Sequence, residues 1–490
     1  MITASMLYDF DTCPHRVSLD LFGDPMKRDP VNAFVEMLWE RGHAFELETI
    51  QKLEVPFLNL RDEPRAYREG RTTEAILHRE PLIYGGRISH GDLLGEPDLL
   101  RRTDAGYVPV DIKSGIGLEG TSEDREGKPK RHYALQLALY ADILLRKDWS
   151  STREAFVWDV RGEEVSYNLD LKRGPRTPQT MWDEYEDVLE TVTAISSGAL
   201  QTDPALISAC TLCHWRSHCR GEINQSDDLT LISSLGRNRR DKFPTEMRTV
   251  RALAETSLET LLPGGKSSVP GIGATTLQTY RARAVALKTE NARPYFTEPV
   301  ELPMSHTELF FDVETDPFRD LCYLHGFVKR TAGDDSTEEF VAFTADEATE
   351  ALERFAFAGA WEFVNAHPDA IVYYYSPYER TTWKKLANRY PDIATEDDVL
   401  ALFEQERFVD LYQDVVRAKM IWPTNSLSIK SLASFLGFQW RDTDPSGAAS
   451  VQWFHEWIEH GDPKVWQRIL EYNEDDCRAM RVLADVIRQL

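Results

Sequence analysis

Three shortages in the amino-acid sequence limit what the protein can be. No apolar run in its 490 residues approaches the length that a bilayer-spanning helix needs, which argues against a membrane protein. Basic residues are few: 56 Lys and Arg face 81 Asp and Glu, for a net charge of -25. Because phosphate binding is mainly electrostatic, this balance excludes a general nucleic-acid-coating protein. It leaves open an enzyme that uses acids as metal ligands and has a local basic stripe.

Cysteine is also rare, with six residues, and the start of the chain has acids and a proline where a signal peptide needs an apolar stretch. We therefore expect a cytoplasmic protein, in which thiols stay reduced. Cys210, Cys213 and Cys219 lie close together, and in a reducing compartment this spacing favours a metal over disulfides. Cys322 and Cys477 have no partners at ligand spacing and are expected to be buried small residues.

The chain is too long for one hydrophobic core, so we expect several domains. Residues 1–222 mix helical patterns with β-rich stretches, and residues 226–295 look helical with short glycine-containing turns. Residues 300–490 alternate strands with long amphipathic helices. The predicted fold class is therefore a multidomain α/β protein with a small helical middle region.

Two acids and a lysine stand in a predicted hairpin of the first region, GEPDLLRRTDAGYVPVDIKSG. This pattern predicts Asp98 on one strand and Asp111 with Lys113 on the next, where alternation puts the last two on one face. Two carboxylates there could hold Mg²⁺ or Mn²⁺, and the lysine could orient or activate an attacking water, as phosphodiester hydrolysis requires. A solvated hairpin without a metal is the alternative.

Two helical segments frame this hairpin. In ERGHAFELE, His43 and Glu46 lie one turn apart, so His43 could complete a metal site; in HYALQLALY, Gln136 and Tyr140 lie at i and i+4, although ordinary helix surface would look the same. The order His, Asp, Asp-x-Lys, Gln-x-x-x-Tyr resembles the RecB-type branch of the PD-(D/E)xK nucleases, which have a restriction-endonuclease-like α/β core. The resemblance implies that the metal ligands are His43, Asp98 and Asp111. It also implies that Lys113 is catalytic and that Gln136 and Tyr140 are supporting residues.

The three clustered cysteines, spaced C-x2-C-x5-C, need a fourth ligand for either tetrahedral zinc or an iron–sulfur cluster. Cys13 is the candidate, while His214 and His218 keep zinc open. One cysteine far upstream and three downstream resembles the iron–sulfur nucleases of the AddB type and the CRISPR-adaptation exonucleases. That resemblance implies a structural 4Fe–4S cluster that ties the N-terminal helix to the end of the nuclease domain.

The middle region is locally basic, with eleven Lys and Arg against five Asp and Glu in residues 229–293. VPGIGATTLQTYRARA predicts a short hairpin followed by a helix, and LISSLGRNRRDKF has a Leu-Gly pair ahead of a basic run. Both resemble helix-hairpin-helix elements, which offer backbone N–H groups to phosphates without reading sequence. A plain helical linker with a solvated basic face is the alternative. The predicted DNA-binding residues are Arg237, Arg239, Arg240, Gly271, Gly273, Arg281 and Arg283.

A second acidic constellation lies in the last region. ELFFDVETD predicts an apolar strand that carries Asp312 and Glu314 on one face, and LEYNEDDCRAM predicts a helix with Tyr472 and Asp476 on one face. Between them, AIVYYYSPYERTTWKKL predicts a strand that leads to a helix with Glu379. Four such acids could hold two metal ions that activate a water and stabilise the leaving 3′ oxygen.

This constellation resembles the DEDDy branch of the DnaQ-like exonucleases, which have a ribonuclease H-like fold. The resemblance implies that Tyr472 orients the water and that Asp410 is a structural acid. The metal ligands that it implies are Asp312, Glu314, Glu379 and Asp476. The family usually has Asp where this chain has Glu379, and the longer arm could weaken or reshape the site. An inactive domain that is kept for binding is the alternative.

The order of these regions resembles a family of predicted RecB-type nucleases with a C-terminal ribonuclease H-like domain. We predict a Mg²⁺- or Mn²⁺-dependent DNA nuclease, an exonuclease on single-stranded or frayed DNA, that acts in repair, recombination or defence. A DNA-end-binding scaffold with silent sites and a 3′–5′ RNA exonuclease that uses only the C-terminal site are the alternatives. PGGKS at 263–267 lacks the first glycine of a P-loop, so any helicase would be a separate partner.

Overall fold

The computed structural model describes residues 1–120, 127–443 and 446–490. The chain divides into two compact units, one of residues 1–204 with 208–219 and the other of residues 205–207 with 220–490. The helical segment that the sequence separates as a middle region is thus part of the second unit. Among the described residues, no helix is long and apolar enough to cross a membrane.

The first unit combines helices with mostly short strands. Its strands are β1 (Ile2–Thr3), β2 (Leu58–Asn59), β3 (Leu82–Tyr84), β4 (Ile88–His90), β5 (Leu93–Gly95), β6 (Leu99–Thr103), β7 (Gly106–Ile112), β8 (Leu118–Glu119), β9 (Lys128–Pro129), β10 (Glu154–Trp158) and β11 (Glu164–Asn168). Its helices are α1 (Ala4–Thr12), α2 (Pro14–Phe22), α3 (Ala33–Gln51), α4 (Arg65–Leu77), α5 (Arg131–Arg146) and α6 (Met181–Ser196), and α7 (Arg216–Gln225) contains the boundary between the units.

A six-stranded sheet in the order β11-β10-β7-β6-β3-β2 forms the centre of the first unit. Its strand β7 is antiparallel to β6 and parallel to β10, and every residue of β7 after Gly106 is buried, as a strand covered on both faces requires. Helices α1, α5 and α6 contribute to the core on one face, whereas Ile50 of α3 packs with Val110 and Ile112 on the other. This double cover fixes the end of β7, where Asp111 lies.

The sequence predicts Asp98 on a strand, but in the structure Asp98 precedes β6 by one residue. The preceding residue, Pro97, has no backbone N–H for a sheet ladder, so regular pairing begins only at Leu99.

The second unit has longer strands and a long C-terminal helix. Its strands are β12 (Tyr295–Phe296), β13 (Thr307–Asp316), β14 (Leu321–Thr331), β15 (Asp334–Thr344), β16 (Ile371–Tyr374), β17 (Phe408–Asp410) and β18 (Met420–Ile421). Its further helices are α8 (Gly236–Arg240), α9 (Val250–Glu255), α10 (Leu258–Leu261), α11 (Ala274–Lys288), α12 (Glu350–Asn365), α13 (Tyr378–Arg389), α14 (Glu396–Phe403), α15 (Ile429–Phe435), α16 (Gly447–His460) and α17 (Pro463–Gln489), with a π-helix at Leu411–Arg417.

The main sheet of this unit has the order β15-β14-β13-β16-β17, so β13 is central. Along β13, Leu309 and Phe311 pack into the core that contains α12 and α13 residues, whereas Phe310 packs into the core that contains α17 residues. Because side chains alternate along a strand, Asp312 and Glu314 lie on the same face as Phe310, which is the face that α17 covers.

Helix α17 begins at Pro463 behind the N-cap Asp462 and buries one stripe along its 27 residues. Most of the stripe is apolar, for example Ile469, Met480 and Leu483. Asp476 interrupts it with a carboxylate that meets the acidic face of β13. The apolar periodicity of α17 therefore brings Asp476 to the acids of the sheet.

Candidate active sites

Asp312 and Glu314 of β13 and Asp476 of α17 form a compact acidic trio. One ligand oxygen from each lies within 4.8 Å of the others, while no other group of three potential ligands in the described ranges meets this criterion. Glu314 and Asp476 are buried and Asp312 is partly buried. The trio is the geometry that the sequence predicts for a metal site in this region.

Neighbouring polar side chains hold the trio in place. The Asn473 amide donates to Asp312 Oδ2 at 2.7 Å, and the indole N–H of Trp440 donates to Asp476 Oδ1 at 2.7 Å. Ser450 and Asn473 lower the pKa of Glu314 and so partly offset the effect of its burial. Asp312 and Asp476 thus each have a fixed partner that limits the rotation of the carboxylate.

Lys430 of α15 is a site residue that the sequence does not reveal. Its ammonium group lies 3.0 Å from Asp476 Oδ2 and donates to the Tyr472 hydroxyl at 2.8 Å. Lys430 precedes these partners by more than forty residues in an ordinary helix start, SLSIKSLAS, and no spacing rule links them. Lys430 therefore links Tyr472, the predicted water-orienting residue, to Asp476 of the acidic trio.

Glu379, the residue that departs from the family pattern, lies in the first turn of α13 and is 2% exposed. Burial raises its pKa well above the usual range, and the charges of Asp410 and Glu314 raise it further. Its Oε2 atom is buried without a hydrogen-bond partner in the described part of the chain. Glu379 therefore lies within electrostatic reach of the trio, with one oxygen available for a cation.

Asp410 has a structural position at the end of β17. Its Oδ1 accepts from the backbone N–H groups of Ser376, Tyr412 and Gln413, so it caps the π-helix and fixes the end of β16.

Burial and like charge together favour the protonated forms of Asp312 and Glu314. Burial and then the charge of Asp476 raise the pKa of Glu314 to about 8. Burial, followed by Glu314 and Asp476, raises the pKa of Asp312 well above its usual range. Hard oxygen donors that repel one another in this way fit a divalent cation such as Mg²⁺ or Mn²⁺, which would remove the repulsion.

The first unit holds the second candidate site, at the end of β7. Lys113 Nζ lies 2.9 Å from Asp111 Oδ2 and donates to the side-chain oxygen of Gln136 at 3.2 Å. Asp98 Oδ2 accepts from the backbone N–H of Ile112 at 2.7 Å, so it lies beside the same strand end. Burial and then Asp111 raise the pKa of Asp98 to about 8. The structure thus brings together the predicted Asp98, Asp111, Lys113 and Gln136.

His43 and Glu46 take different positions on α3. The His43 side chain is 57% exposed, and its Nδ1 lies 3.8 Å from Glu46 Oε2. Glu46 is buried, accepts from the Tyr84 hydroxyl at 2.9 Å, and contributes to the raised pKa of Asp98. Glu46 is therefore the α3 carboxylate nearest the acidic pair, and the sequence singles it out only as a helical neighbour of His43.

Tyr140 of α5 is buried below the same strand end. A Cβ atom on Gly95 would lie 2.6 Å from the Tyr140 ring, so the ring occupies the space that this glycine leaves. Burial raises the pKa of Tyr140, and the charges of Asp111 and Asp98 raise it further, so the two acids lie within electrostatic reach of its hydroxyl.

Cys13 and the three clustered cysteines all belong to the first unit. All six cysteines are thiols. Burial raises the pKa of Cys213, and the charges of Cys210 and Cys13 raise it further, so Cys13 lies within electrostatic reach of Cys213. Of the histidines that keep zinc open, His214 has its Nε2 2.7 Å from Asp20 Oδ1. Cysteine thiolates are ligands that both zinc and iron–sulfur clusters take.

Two arginines that we predicted to bind DNA are buried instead. Arg240 is 3% exposed and pairs with Asp228 and Asp241 at 3.1 and 2.9 Å. Arg283 is 5% exposed and donates to the carbonyl oxygen of Ser233 at 2.9 Å. The prediction is wrong for both residues because their guanidinium groups are used inside the protein.

The other predicted DNA-binding residues lie around two turns. Gly271 has φ +71° and Gly273 is the N-cap of α11, so a turn leads into a helix there. Arg239 and Arg281 donate to backbone carbonyl oxygens at 2.7 and 2.6 Å, and Arg237 is partly buried. Arg239 and Arg281 therefore have local roles in holding the segment together.

Gly326 of β14 makes room for Asn473, since a Cβ atom there would lie 1.6 Å from Asn473 Oδ1. We expect Gly326→Ala to displace Asn473 from Asp312 and weaken Mn²⁺ binding at the trio by about tenfold or more, as loss of a supporting hydrogen bond does in metal sites. Isothermal titration of Mn²⁺ measures this. Gly221→Ala is the control, because a Cβ atom there meets nothing within 4 Å. Parent-like Mn²⁺ affinity in Gly326→Ala would show that Asn473 does not support the site.

The raised pKa of Glu314 predicts a pH-dependent loss of stability in the metal-free protein. A carboxyl whose pKa is about 8 when folded and ordinary when unfolded costs stability as pH rises through 8. We expect Glu314→Gln, measured in EDTA, to gain at least about 2 °C in Tm relative to the parent between pH 5 and pH 9. The exposed Glu347→Gln is the control. If the Tm of the parent and the Tm of Glu314→Gln changed equally with pH, the raised pKa of Glu314 would be contradicted.

Comparison with known families agrees with the two sites. Residues 20–220 match the PD-(D/E)XK nuclease superfamily, a range that contains Asp98, Asp111 and Lys113. Residues 309–488 match the RNase H superfamily, a range that contains the acidic trio. No curated protein matches the chain. The chain therefore carries a PD-(D/E)XK nuclease superfamily domain followed by an RNase H superfamily domain, and it is a nuclease of two modules.

Proposed function

We propose that the protein is a divalent-metal-dependent DNA exonuclease with two hydrolytic sites, which acts on single-stranded or frayed ends in repair, recombination or defence. The observation that carries the proposal is the acidic trio, whose ligand oxygens lie within 4.8 Å of one another. All three acids lie within the residues that match the RNase H superfamily. We propose DNA and not RNA as the substrate because the order of the modules resembles that of RecB-type nucleases.

At the C-terminal site, Asp312, Glu314 and Asp476 would hold Mg²⁺ or Mn²⁺, with Glu379 as a further ligand. Such an ion supplies a Lewis acid that polarises the phosphodiester and acidifies a water. The chain supplies orientation. Lys430 fixes the Tyr472 hydroxyl, which can then hydrogen-bond to an attacking water beside Asp476.

At the N-terminal site, Asp98 and Asp111 would be the ligands, with His43 as the proposed third. Although burial disfavours its charge, Lys113 has a raised pKa because Asp111 and Asp98 attract the proton, so it remains an ammonium at neutral pH. Held by Asp111 and Gln136, the ammonium can orient a water or stabilise the charge that develops on a phosphate. Tyr140 would support the two acids from below.

We propose a 4Fe–4S cluster on Cys13, Cys210, Cys213 and Cys219, with zinc as the alternative. Cys13 is at the N-cap of α2, yet it lies within electrostatic reach of Cys213, which follows two hundred residues later. A cluster there would join distant parts of the chain, a structural role. It would stabilise the first unit because metal binding contributes to folding.

Cleavage of end-labelled oligonucleotides tests the two-site proposal. We expect Asp111→Asn and Asp312→Asn each to remove one product series in Mn²⁺, by at least about 100-fold, and the double variant to remove both. The 5′ and 3′ labels give the polarity of each site, and Asp170→Asn, which changes an exposed acid, is the control. No cleavage by the parent despite retained DNA binding would favour a scaffold. Cleavage of RNA alone, abolished by Asp312→Asn, would favour an RNA exonuclease.

Metal analysis after anaerobic purification tests the cluster. We expect iron and acid-labile sulfide in equal amounts, and their loss with a lower Tm in Cys13→Ser and Cys213→Ser. Cys322→Ala and Cys477→Ala should keep the iron, because both side chains lie in the core of the second unit. Stoichiometric zinc without sulfide would overturn the iron–sulfur proposal.

A further inference from the structure

Three aromatic rings form a connected row beside the N-terminal site. The rings of Tyr8, from α1, and His132, from the first turn of α5, have centroids 5.0 Å apart at 80°. The centroids of His132 and Tyr133 lie 4.5 Å apart at 75°. Tyr8 is 37% exposed, and the other two rings are partly exposed. We call these three residues the aromatic row.

Two lysines lie against the inner end of this row. Lys113 Nζ, which contacts Asp111, lies 5.4 Å from the Tyr133 ring centroid, and Lys130 Nζ lies 5.3 Å from the same centroid. Both distances are within the range of cation–π attraction. The row therefore leads from an exposed tyrosine to the lysine of the candidate active site.

The helices that carry the row are firmly joined. Arg131, next to His132, pairs with Asp11 of α1 and donates to Glu184 of α6 at 2.8 Å. The backbone N–H of Lys130 donates to the Tyr167 hydroxyl at 3.1 Å. Fixed rings of this kind lose little conformational entropy when a ligand stacks on them.

The charge of this surface differs from that of the whole chain. The two acids of α1 next to the row are paired, Asp11 with Arg131 and Asp9 with Arg16. Burial lowers the pKa of His132, so its ring is neutral at pH 7 and can stack as an uncharged aromatic. What remains for a ligand is aromatic surface with the ammonium group of Lys130 and with Lys113, which is itself paired with Asp111; this surface complements an anionic chain that carries flat rings.

We propose that the aromatic row, with Lys113 and Lys130, is a stacking surface that guides single-stranded nucleic acid to the Asp111 site. Bases stack on Tyr8 and the neighbouring rings, and phosphates contact the lysines. This inference rests on the proposed function, because it names the surface by which that site takes its strand.

A single strand fits this surface better than a duplex does. Stacking on protein rings requires unpaired bases with exposed faces, which a helix keeps stacked on one another. It is also independent of sequence, because every base has a π face. The row would therefore favour ends that are single-stranded or frayed.

Photo-crosslinking with the full chain tests where a strand lies. A single-stranded DNA of about 20 nucleotides with 5-iodouracil, irradiated in EDTA so that it stays intact, should crosslink to peptides that contain Tyr8 or His132 and Tyr133. Crosslinks confined to other peptides would overturn the proposal. This experiment needs no variant.

Affinity measurements test the energy of stacking. By fluorescence anisotropy in EDTA, we expect Tyr8→Ala to weaken single-strand binding by about tenfold, whereas Tyr8→Phe, which keeps the ring, should stay within about twofold of the parent. Tyr67→Ala is the matched control, because Tyr67 is a tyrosine of the same unit that is 67% exposed. Equal affinities for Tyr8→Ala and Tyr67→Ala would overturn the proposal.

The two proposals fail in different ways. If the parent cleaves DNA in Mn²⁺ but crosslinks appear only elsewhere, the stacking surface is wrong and the nuclease function stands. If it crosslinks at the aromatic row but cleaves nothing, the surface stands as a binding site and the proposed hydrolysis is wrong.

Discussion

Carboxylates of like charge, buried side by side, are the constraint on which both candidate sites depend. A buried acid avoids ionisation unless a cation or hydrogen-bond donors compensate its charge. At the C-terminal site the fold places Asp312 and Glu314 on the covered face of a central strand and brings Asp476 against them from α17. Their raised pKa values express what this placement costs when no metal is bound.

In both units, one lysine ammonium group lies beside the buried acids and partly compensates their charge. Lys113 lies 2.9 Å from Asp111 in the first unit, and Lys430 lies 3.0 Å from Asp476 in the second. Each lysine also contacts a neutral polar group, Gln136 or the Tyr472 hydroxyl. A single positive charge cannot balance two or three ionised acids, so the acids of each site can all ionise together only when a further cation is bound, which favours a divalent ion.

The parts of the fold that local patterns encode could be predicted from the sequence. Alternation predicted the strands with Asp111 and Asp312, and helical spacing predicted that Tyr472 and Asp476 share a face. Lys430 could not be predicted in this way, because it meets its partners through tertiary packing. The same holds for Trp440, whose indole N–H reaches Asp476 from a segment with no acidic motif.

Charge patterns misled where burial decided the role. The basic run that contains Arg240 looked like a phosphate-binding surface, yet its guanidinium is inside the protein and serves Asp228. Composition counts charges without showing which of them face solvent. Glu46 is the opposite case, because a glutamate in a charged helix segment proved to be the buried carboxylate that borders Asp98.

These observations bear on how a chain of net charge -25 could take up a polyanion. Long-range attraction is weak or repulsive for such a protein, and phosphate contacts lose strength as salt rises. Stacking on rings such as Tyr8 and Tyr133 does not require net positive charge, and arginines pair with Asp9 and Asp11 of the helix that carries Tyr8. The acids that dominate the composition can then serve metal ions, while the aromatic row supplies the contacts to the strand.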